Sequence, residues 1–190
     1  MANRFDVMLK NTAANLAKDS AVSLQWFKDK VDETTGRKRT DPNHMFQRSG
    51  TPQIGKMFLF YYDAKYKNTL PFFDKHPLVF PIEMYGDGFL GINLHYLPPL
   101  ARVSLLRSLD IIKNNDKYND TTKLVVSYKT LKAFATQFAG YDQCIKRYLY
   151  GHVKSSFHEV YPADWEKAAM LPLQNWSINK NRRYSGSPPY

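Results

Sequence analysis

Five histidines are the side chains of this sequence best suited to bind a metal ion or transfer a proton. None is paired with another histidine or with a cysteine at a metal-ligand spacing. His152 and His158 are six residues apart, which would place them on different faces of a helix. We therefore predict structural roles for all five, with no bound metal and no cofactor. They are His44, His76, His95, His152 and His158.

The remaining reactive groups also favour a protein that is not an enzyme. Cys144 has no accompanying Cys-His pattern, so a buried, inert thiol is favoured over a nucleophile. Glu83 and Asp87 are two carboxylates with the spacing to hold a metal or exchange protons. A turn role for Asp87 and a solvent-facing Glu83 are the favoured interpretation. Residues 86–91 (GDGFLG) are not a phosphate loop, because no Gly-Lys-Ser/Thr follows. We predict no catalysis and no small-molecule substrate.

Positive charge is the strongest compositional signal. The net charge is +10, from 27 Lys and Arg against 17 Asp and Glu, and a surplus of this size favours polyanionic partners. Basic clusters interleaved with tyrosine bind phosphate backbones without sequence preference, so double-stranded DNA is a possible partner. A solvated surface or an acidic protein neighbour is the favoured explanation of the same clusters. The candidate contact residues are Arg37, Lys38, Arg39, Arg48, Lys146, Arg147, Lys180, Arg182 and Arg183.

Composition also limits the class of protein. Hydrophobic residues make up 43% of the chain, which excludes full disorder. No apolar run reaches the roughly 18 residues that a membrane span requires. The first ten residues lack a signal-peptide core, and a single cysteine fits a reducing compartment. We expect a soluble protein that is made in a cytoplasm and does not contact a membrane.

The N-terminal third predicts a helical arm followed by a basic linker, residues 1–53. Apolar residues recur at helical spacing over residues 3–33. Asp19 or Ser20 is suited to cap a second helix, which would divide the segment in two. Residues 34–53 are rich in Gly, Pro, Thr and basic side chains and are typical of a linker.

The centre of the chain predicts a small antiparallel sheet. Residues 54–62 are bulky and β-favouring, and residues 78–85 and 89–94 flank Gly-Asp-Gly, a strong hairpin signal because glycine allows the positive φ of tight turns. Pro81 predicts an edge strand or a bulge. The expected buried core is Phe58, Phe60, Leu78, Phe80, Phe89, Ile92 and Leu94.

Helices are expected to return after Pro98. The patterns predict a helix from there to the break at 114–116, a second from about Ser127 to 138, and a third over 142–156 that carries Cys144, Lys146 and Arg147. A short strand at 157–161, a helical turn from Pro162 and an extended basic tail at 172–190 complete the chain. The predicted class is α+β, a small meander or barrel-like antiparallel sheet flanked by helices, with its core in residues 54–171.

Residues 55–99 (GKMFLFYYDAKYKNTLPFFDKHPLVFPIEMYGDGFLGINLHYLPP) resemble small virion-associated proteins of T-even-like myoviruses. The segments CIKRYLYGHVKSSF and PADWEKAAMLP extend the resemblance over about residues 54–172. Such proteins are often labelled DNA-end protectors. The resemblance implies a non-enzymatic component of a tailed-phage virion, made in the host cytoplasm. We expect a neck, tail or baseplate protein held by contacts to other phage structural proteins, with a protector of packaged DNA ends at the head as the alternative.

Overall fold

The computed structural model describes residues 4–10, 13–36, 48–69, 73–137 and 144–171. These residues form helices on one side of a single antiparallel sheet, which confirms the predicted α+β class. The helices are α1 (Arg4–Lys10), α2 (Ala13–Thr34), α3 (Pro99–Lys113), α4 (Asp120–Gln137) and α5 (Trp165–Ala169). The strands are β1 (Arg48–Ser49), β2 (Met57–Leu59), β3 (Leu78–Tyr85), β4 (Gly88–Asn93), β5 (Ile145–Leu149) and β6 (Phe157–Val160).

The N-terminal segment is helical, as predicted, but the division of the helix was placed wrongly. Asp19 and Ser20 lie inside α2, where the helix continues without a break. The shorter helix α1 buries Phe5 completely, and Arg4 contacts both Asp110 of α3, at 2.9 Å, and the Pro162 carbonyl, at 2.6 Å. These contacts attach α1 to the body of the fold. The predicted linker is also shorter than expected, because β1 begins at Arg48.

The sheet has the strand order β1-β6-β2-β3-β4-β5, and every neighbouring pair is antiparallel. The last strand in sequence therefore lies between the first two. β2 is shorter than the predicted strand at 54–62, although Tyr62 forms an isolated bridge with Val153. The predicted strand at 157–161 is confirmed as β6, and the predicted helical turn is confirmed in the 3-10 turn Pro162–Asp164 and α5.

The predicted hairpin is confirmed as β3 and β4, but its glycines act differently from the expectation. Gly86 and Gly88 do not have the positive φ that was predicted for the turn. Gly88 instead lies in β4, where a Cβ atom would be 2.0 Å from the backbone carbonyl oxygen of Tyr148 in β5. Close approach of two strands requires this glycine. Pro81 lies in an interior strand, and the register shifts between Pro81 and Glu83, so the bulge is confirmed and the edge position is wrong.

The first helix after the hairpin, α3, begins and ends as predicted, whereas the second, α4, begins at Asp120 rather than near Ser127. The Asn119 side chain accepts a hydrogen bond from the Thr122 N–H group at 2.8 Å, and this cap starts the helix early.

The predicted helix over 142–156 is wrong. Residues 145–149 are β5, and a 3-10 turn, Tyr150–His152, follows. Lys146 and Arg147 are therefore on a strand, and Cys144, which is buried as predicted, directly precedes it. The spacing of Ile145 and Leu149 fits a helix, but pairing with the backbone of β4 determines the conformation of this segment.

The sheet curls strongly, in agreement with the predicted barrel-like shape. Phe89 in β4 and Phe157 in β6 are separated by two strands. In a flat sheet the backbones of these two strands would be roughly 14 Å apart, and parallel side chains would keep that separation. Their ring centroids are 5.9 Å apart. Backbone hydrogen bonds from Asp63 to His152, at 2.9 Å, and from Lys154 to Tyr61, at 2.8 Å, join the chain after β2 to the chain after β5.

The curled sheet separates two hydrophobic clusters. Alternate residues of each strand point to opposite faces, so Phe80 and Ile82 face the helices whereas Val79 faces the concave side. All seven predicted core residues are buried. No helix in the described part of the chain is long and apolar enough to cross a membrane.

Candidate nucleic-acid interface

Most of the predicted contact residues lie outside the described residues. Lys146 and Arg147 are adjacent in β5, and consecutive side chains of a strand point to opposite faces. Arg48 opens β1 opposite His158. The residues outside the described ranges are Arg37, Lys38, Arg39, Lys180, Arg182 and Arg183.

The charge of Arg147 is engaged by the hairpin. Its guanidinium carbon lies 3.8 Å from the centroid of the Tyr85 ring, and the group forms an ion pair with Asp87 at the turn. Glu83 likewise pairs with Lys132 of α4 at 2.7 Å instead of simply facing solvent. The two carboxylates singled out in the sequence thus attach β5 and α4 to the hairpin. Within the described ranges, no three His, Cys, Asp or Glu side chains are grouped to hold a metal ion.

Lys146 lies in a different environment. It is half-buried, and its ammonium nitrogen is 4.9 Å from the centroid of the Tyr96 ring. No carboxylate pairs with it in the part of the chain that the structure describes. Burial lowers the pKa of Lys146 because a charged group loses solvation there. An anion bound at this nitrogen would compensate for the lost solvation.

A cavity of about 270 Å³ opens beside Lys146. Its volume is just below the range for drug-sized ligand sites, which run from about 300 Å³ upwards. The aromatic residues of its lining, which we call the aromatic pocket, come from the chain after β2, from the turn after β4 and from β5. They are Tyr62, Tyr66, Phe73, Tyr96 and Tyr148.

The polar side of the aromatic pocket is held by hydrogen bonds around Asp74. One Asp74 oxygen lies 2.6 Å from Nδ1 of His95 and accepts a hydrogen bond from Asn93 at 3.2 Å. The other accepts from the His76 N–H group at 3.0 Å. Burial by itself would raise the pKa of Asp74, but the electrostatic interaction with His95 and these hydrogen bonds lower it overall, so the carboxyl stays ionised.

Tyr148 presents a hydroxyl group to the same pocket. Its oxygen accepts a hydrogen bond from the Asn93 amide at 3.0 Å. Burial raises the pKa of Tyr148 well above its ordinary value, so the hydroxyl keeps its proton at neutral pH. Since Asn93 supplies the donor of that bond, the Tyr148 proton is directed elsewhere and can be donated to a ligand.

Exposed lysines surround the chain segment that carries Tyr62. The Tyr62 N–H group donates to the Lys75 carbonyl at 2.8 Å, and the Lys154 N–H group donates to the neighbouring Tyr61 carbonyl at 2.8 Å. Both lysines therefore flank this segment, and two more follow it in the next turn, of which one lines the aromatic pocket. We call these four exposed side chains the cationic rim: Lys65, Lys67, Lys75 and Lys154.

Little acidic charge opposes the cationic rim. Asp63 pairs with Lys67 at 2.7 Å, and Asp74 is buried against His95. A second basic region is the cleft of Lys56, Lys113 and Lys123, but acidic side chains neutralise more of its positive charge. Lys56 pairs with Glu159 at 2.9 Å, and Asp120 lines the same cleft. The cationic rim with its aromatic pocket is therefore the better candidate for a phosphate-binding surface.

Sequence reasoning found only Lys146 of this surface, because Arg147 lies on the opposite face of β5. The lysines of the cationic rim are separated by up to 89 positions, the same separation as the Asp63 to His152 contact that brings them together. One signal was present: residues 61–75 (YYDAKYKNTLPFFDK) alternate tyrosine and phenylalanine with lysine. That alternation is typical of surfaces on which bases stack while lysines contact phosphates.

Comparison with known proteins gives one match. Neither the curated proteins nor the solved structures contain a significant match. Residues 1–188 match the family described as phage T4 terminal DNA protecting protein, which confirms the resemblance and extends it beyond residues 54–172. The description favours the DNA-end alternative over a neck, tail or baseplate component. With almost the whole sequence matched, the chain belongs to the phage T4 terminal DNA protecting protein family.

Proposed function

We propose that this protein binds the ends of packaged double-stranded phage DNA in the virion head and shields them, without catalysing a reaction. The match of residues 1–188 to a family of terminal DNA protecting proteins carries this proposal. The cationic rim supports it, because it offers a surface for the phosphates of a duplex. Other phage structural proteins are the further partners that we propose.

Shielding requires occupancy rather than chemistry. A protein that covers the last phosphates of a duplex blocks the approach of an exonuclease for as long as it stays bound. Lysines that neutralise phosphates release counterions, and this release supplies affinity without sequence preference. A spread positive charge of +10 suits such a role, since every phage genome end has the same backbone.

The polar groups of the site also support a binding role. A catalytic carboxylate needs an oxygen directed at its substrate. The oxygens of Asp74 instead accept hydrogen bonds from His76, Asn93 and His95. We infer that this network holds the aromatic pocket in shape.

The test compares linear duplex DNA with covalently closed circular duplex of equal length. We expect tighter binding to linear DNA, and we expect the protein to slow exonuclease digestion of an end-labelled linear duplex. Affinity should fall steeply between about 50 and 200 mM salt. Equal affinity for both DNA forms, with no protection from digestion, would contradict the proposal and favour a role in the neck, tail or baseplate.

A charge-matched pair of variants locates the surface. Replacing Lys65, Lys75 and Lys154 by glutamine should reduce the slope of log affinity against log salt by about 2–3, since each phosphate contact contributes about 0.9. The control replaces three exposed lysines away from the aromatic pocket and removes the same charge. It should change the slope by less than about 1. The control residues are Lys28, Lys117 and Lys129.

A further inference from the structure

We propose that the aromatic pocket takes up one unpaired nucleotide at the DNA terminus, with its base among the aromatic rings and its phosphate at Lys146. This inference rests on the proposed function and deepens it. The cationic rim recognises duplex phosphates, which are the same everywhere along the DNA. The aromatic pocket would recognise the feature that only an end or a frayed terminus presents.

The lining of the aromatic pocket matches a base in chemistry and in size. Its walls are aromatic rings, on which any base can stack through its π-face. A cavity of about 270 Å³ suits a single flat group better than a large ligand. The Tyr148 hydroxyl supplies a donor for a ring nitrogen or carbonyl of the base.

The position of Lys146 matches a phosphate. Lys146 lies on the same face of β5 as Tyr148, two residues away, and both residues line the aromatic pocket. Among the described side chains it contacts a ring, Tyr96, and no carboxylate. A nucleotide brings a base that complements the aromatic walls and an anion that complements this ammonium group, joined by a sugar.

Access to the aromatic pocket explains a preference for ends. A base inside a duplex is stacked on both sides and paired, and extruding it costs a few kcal/mol. A terminal unpaired base has no partner and one stacked neighbour, so it enters at a lower cost. Tyr66, which is 60% exposed, stands at the opening, where an entering base would first contact the protein.

The experiment uses duplexes that end in one unpaired 2-aminopurine nucleotide, whose fluorescence is quenched by stacking on a ring. We expect quenching when the full-length protein binds a duplex with this overhang, and none when 2-aminopurine is paired at an internal position. The overhanging duplex should bind about tenfold more tightly than a blunt duplex of the same length.

Three variants test the assignment. Tyr66→Ala and Lys146→Gln should each remove most of the tenfold preference for the overhang, and Tyr148→Phe should weaken it while leaving the ring in place. The matched controls are Tyr161→Ala, an exposed tyrosine elsewhere, and Lys129→Gln, an exposed lysine of α4; both should keep the preference. Circular dichroism spectra would verify that every variant folds.

The outcomes separate this inference from the proposed function. If linear DNA is preferred but 2-aminopurine is not quenched, or if Tyr66→Ala behaves like Tyr161→Ala, the pocket inference is wrong and end protection stands. If the wild-type protein does not distinguish linear from circular DNA, the proposed function itself fails, and the inference fails with it.

Discussion

Replacing Gly88 by alanine should destabilise the protein, although an alanine in a strand is normally favourable. The new methyl group would lie 2.0 Å from the Tyr148 carbonyl oxygen and 3.0 Å from the Leu149 Cα atom. Both contacts are with the backbone of β5, which cannot rotate away as a side chain can. β5 would therefore have to retreat from β4 by about 1 Å or more to restore ordinary contact distances.

Three contributions determine how far Gly88→Ala lowers the free energy of unfolding. Overpacking costs about 1–3 kcal/mol, and weakening one or two hydrogen bonds between β4 and β5 costs about 0.5–1.5 kcal/mol each. Reduced freedom of the unfolded chain offsets about 0.4–1 kcal/mol of this loss. We expect the free energy of unfolding to fall by about 2–3 kcal/mol. Because β5 also carries Lys146 and Tyr148, DNA binding should weaken in the fraction that stays folded.

Urea unfolding of Gly88→Ala and Gly86→Ala, followed by circular dichroism, tests this prediction. Gly86 is two residues away in the same hairpin and lacks a positive φ. Among the described residues, no atom beyond its chain neighbours lies within 4 Å of the position that a methyl group would take there. Gly86→Ala should therefore be neutral or stabilise by up to about 1 kcal/mol. Equal unfolding midpoints for the two variants would refute the idea that close strand approach requires Gly88.

Three further predictions concern the core, the buried Asp74–His95 contact and the tail. Phe60→Ala, which removes a fully buried ring in contact with Phe89 and Tyr148, should cost about 3–5 kcal/mol in urea unfolding. A cost below about 1 kcal/mol would contradict the tight packing of these three rings. Asp74 has a lowered pKa in the folded protein, so its carboxylate stabilises the fold above the unfolded-state pKa of about 3.9, and this contribution is lost as the pH falls through the lower folded value. Asp74→Asn should thus lower stability at pH 7 and flatten its decline in acid, whereas an unchanged acid profile would show that the pair is not coupled to folding. Deleting residues 173–190 should leave the melting temperature nearly unchanged while preventing incorporation into particles; a large drop in melting temperature would place that segment in the folded core.

Local sequence signals predicted the parts of the fold that local chemistry determines. The hairpin followed from two apolar runs around Gly-Asp-Gly, and α3 followed from Pro99 at its first position. β5 could not be found in this way. Its residues Ile145, Tyr148 and Leu149 suit a helix or a strand, and its partner, Gly88, is far away in the sequence.

The candidate site was predictable only in fragments for a similar reason. Lys146 stood out because it is next to Arg147, yet the structure gives the two side chains separate roles on opposite faces of β5. The lysines of the cationic rim come together through the pairing of residues 61–63 with residues 152–154. A contact between such distant segments leaves no periodic pattern in the sequence from which it could be read.

The insertion of β6 between β1 and β2 also affects how the protein is made. Lys56, next to β2, pairs with Glu159 of β6, a residue that the ribosome adds 103 positions later. Until β6 emerges, β2 has one open hydrogen-bonding edge and β1 has no strand beside it. Open edges of this kind attract other chains, and contacts between distant residues slow folding. The sheet should therefore be completed only after β6 has been translated, and nascent chains that stall before β6 should aggregate.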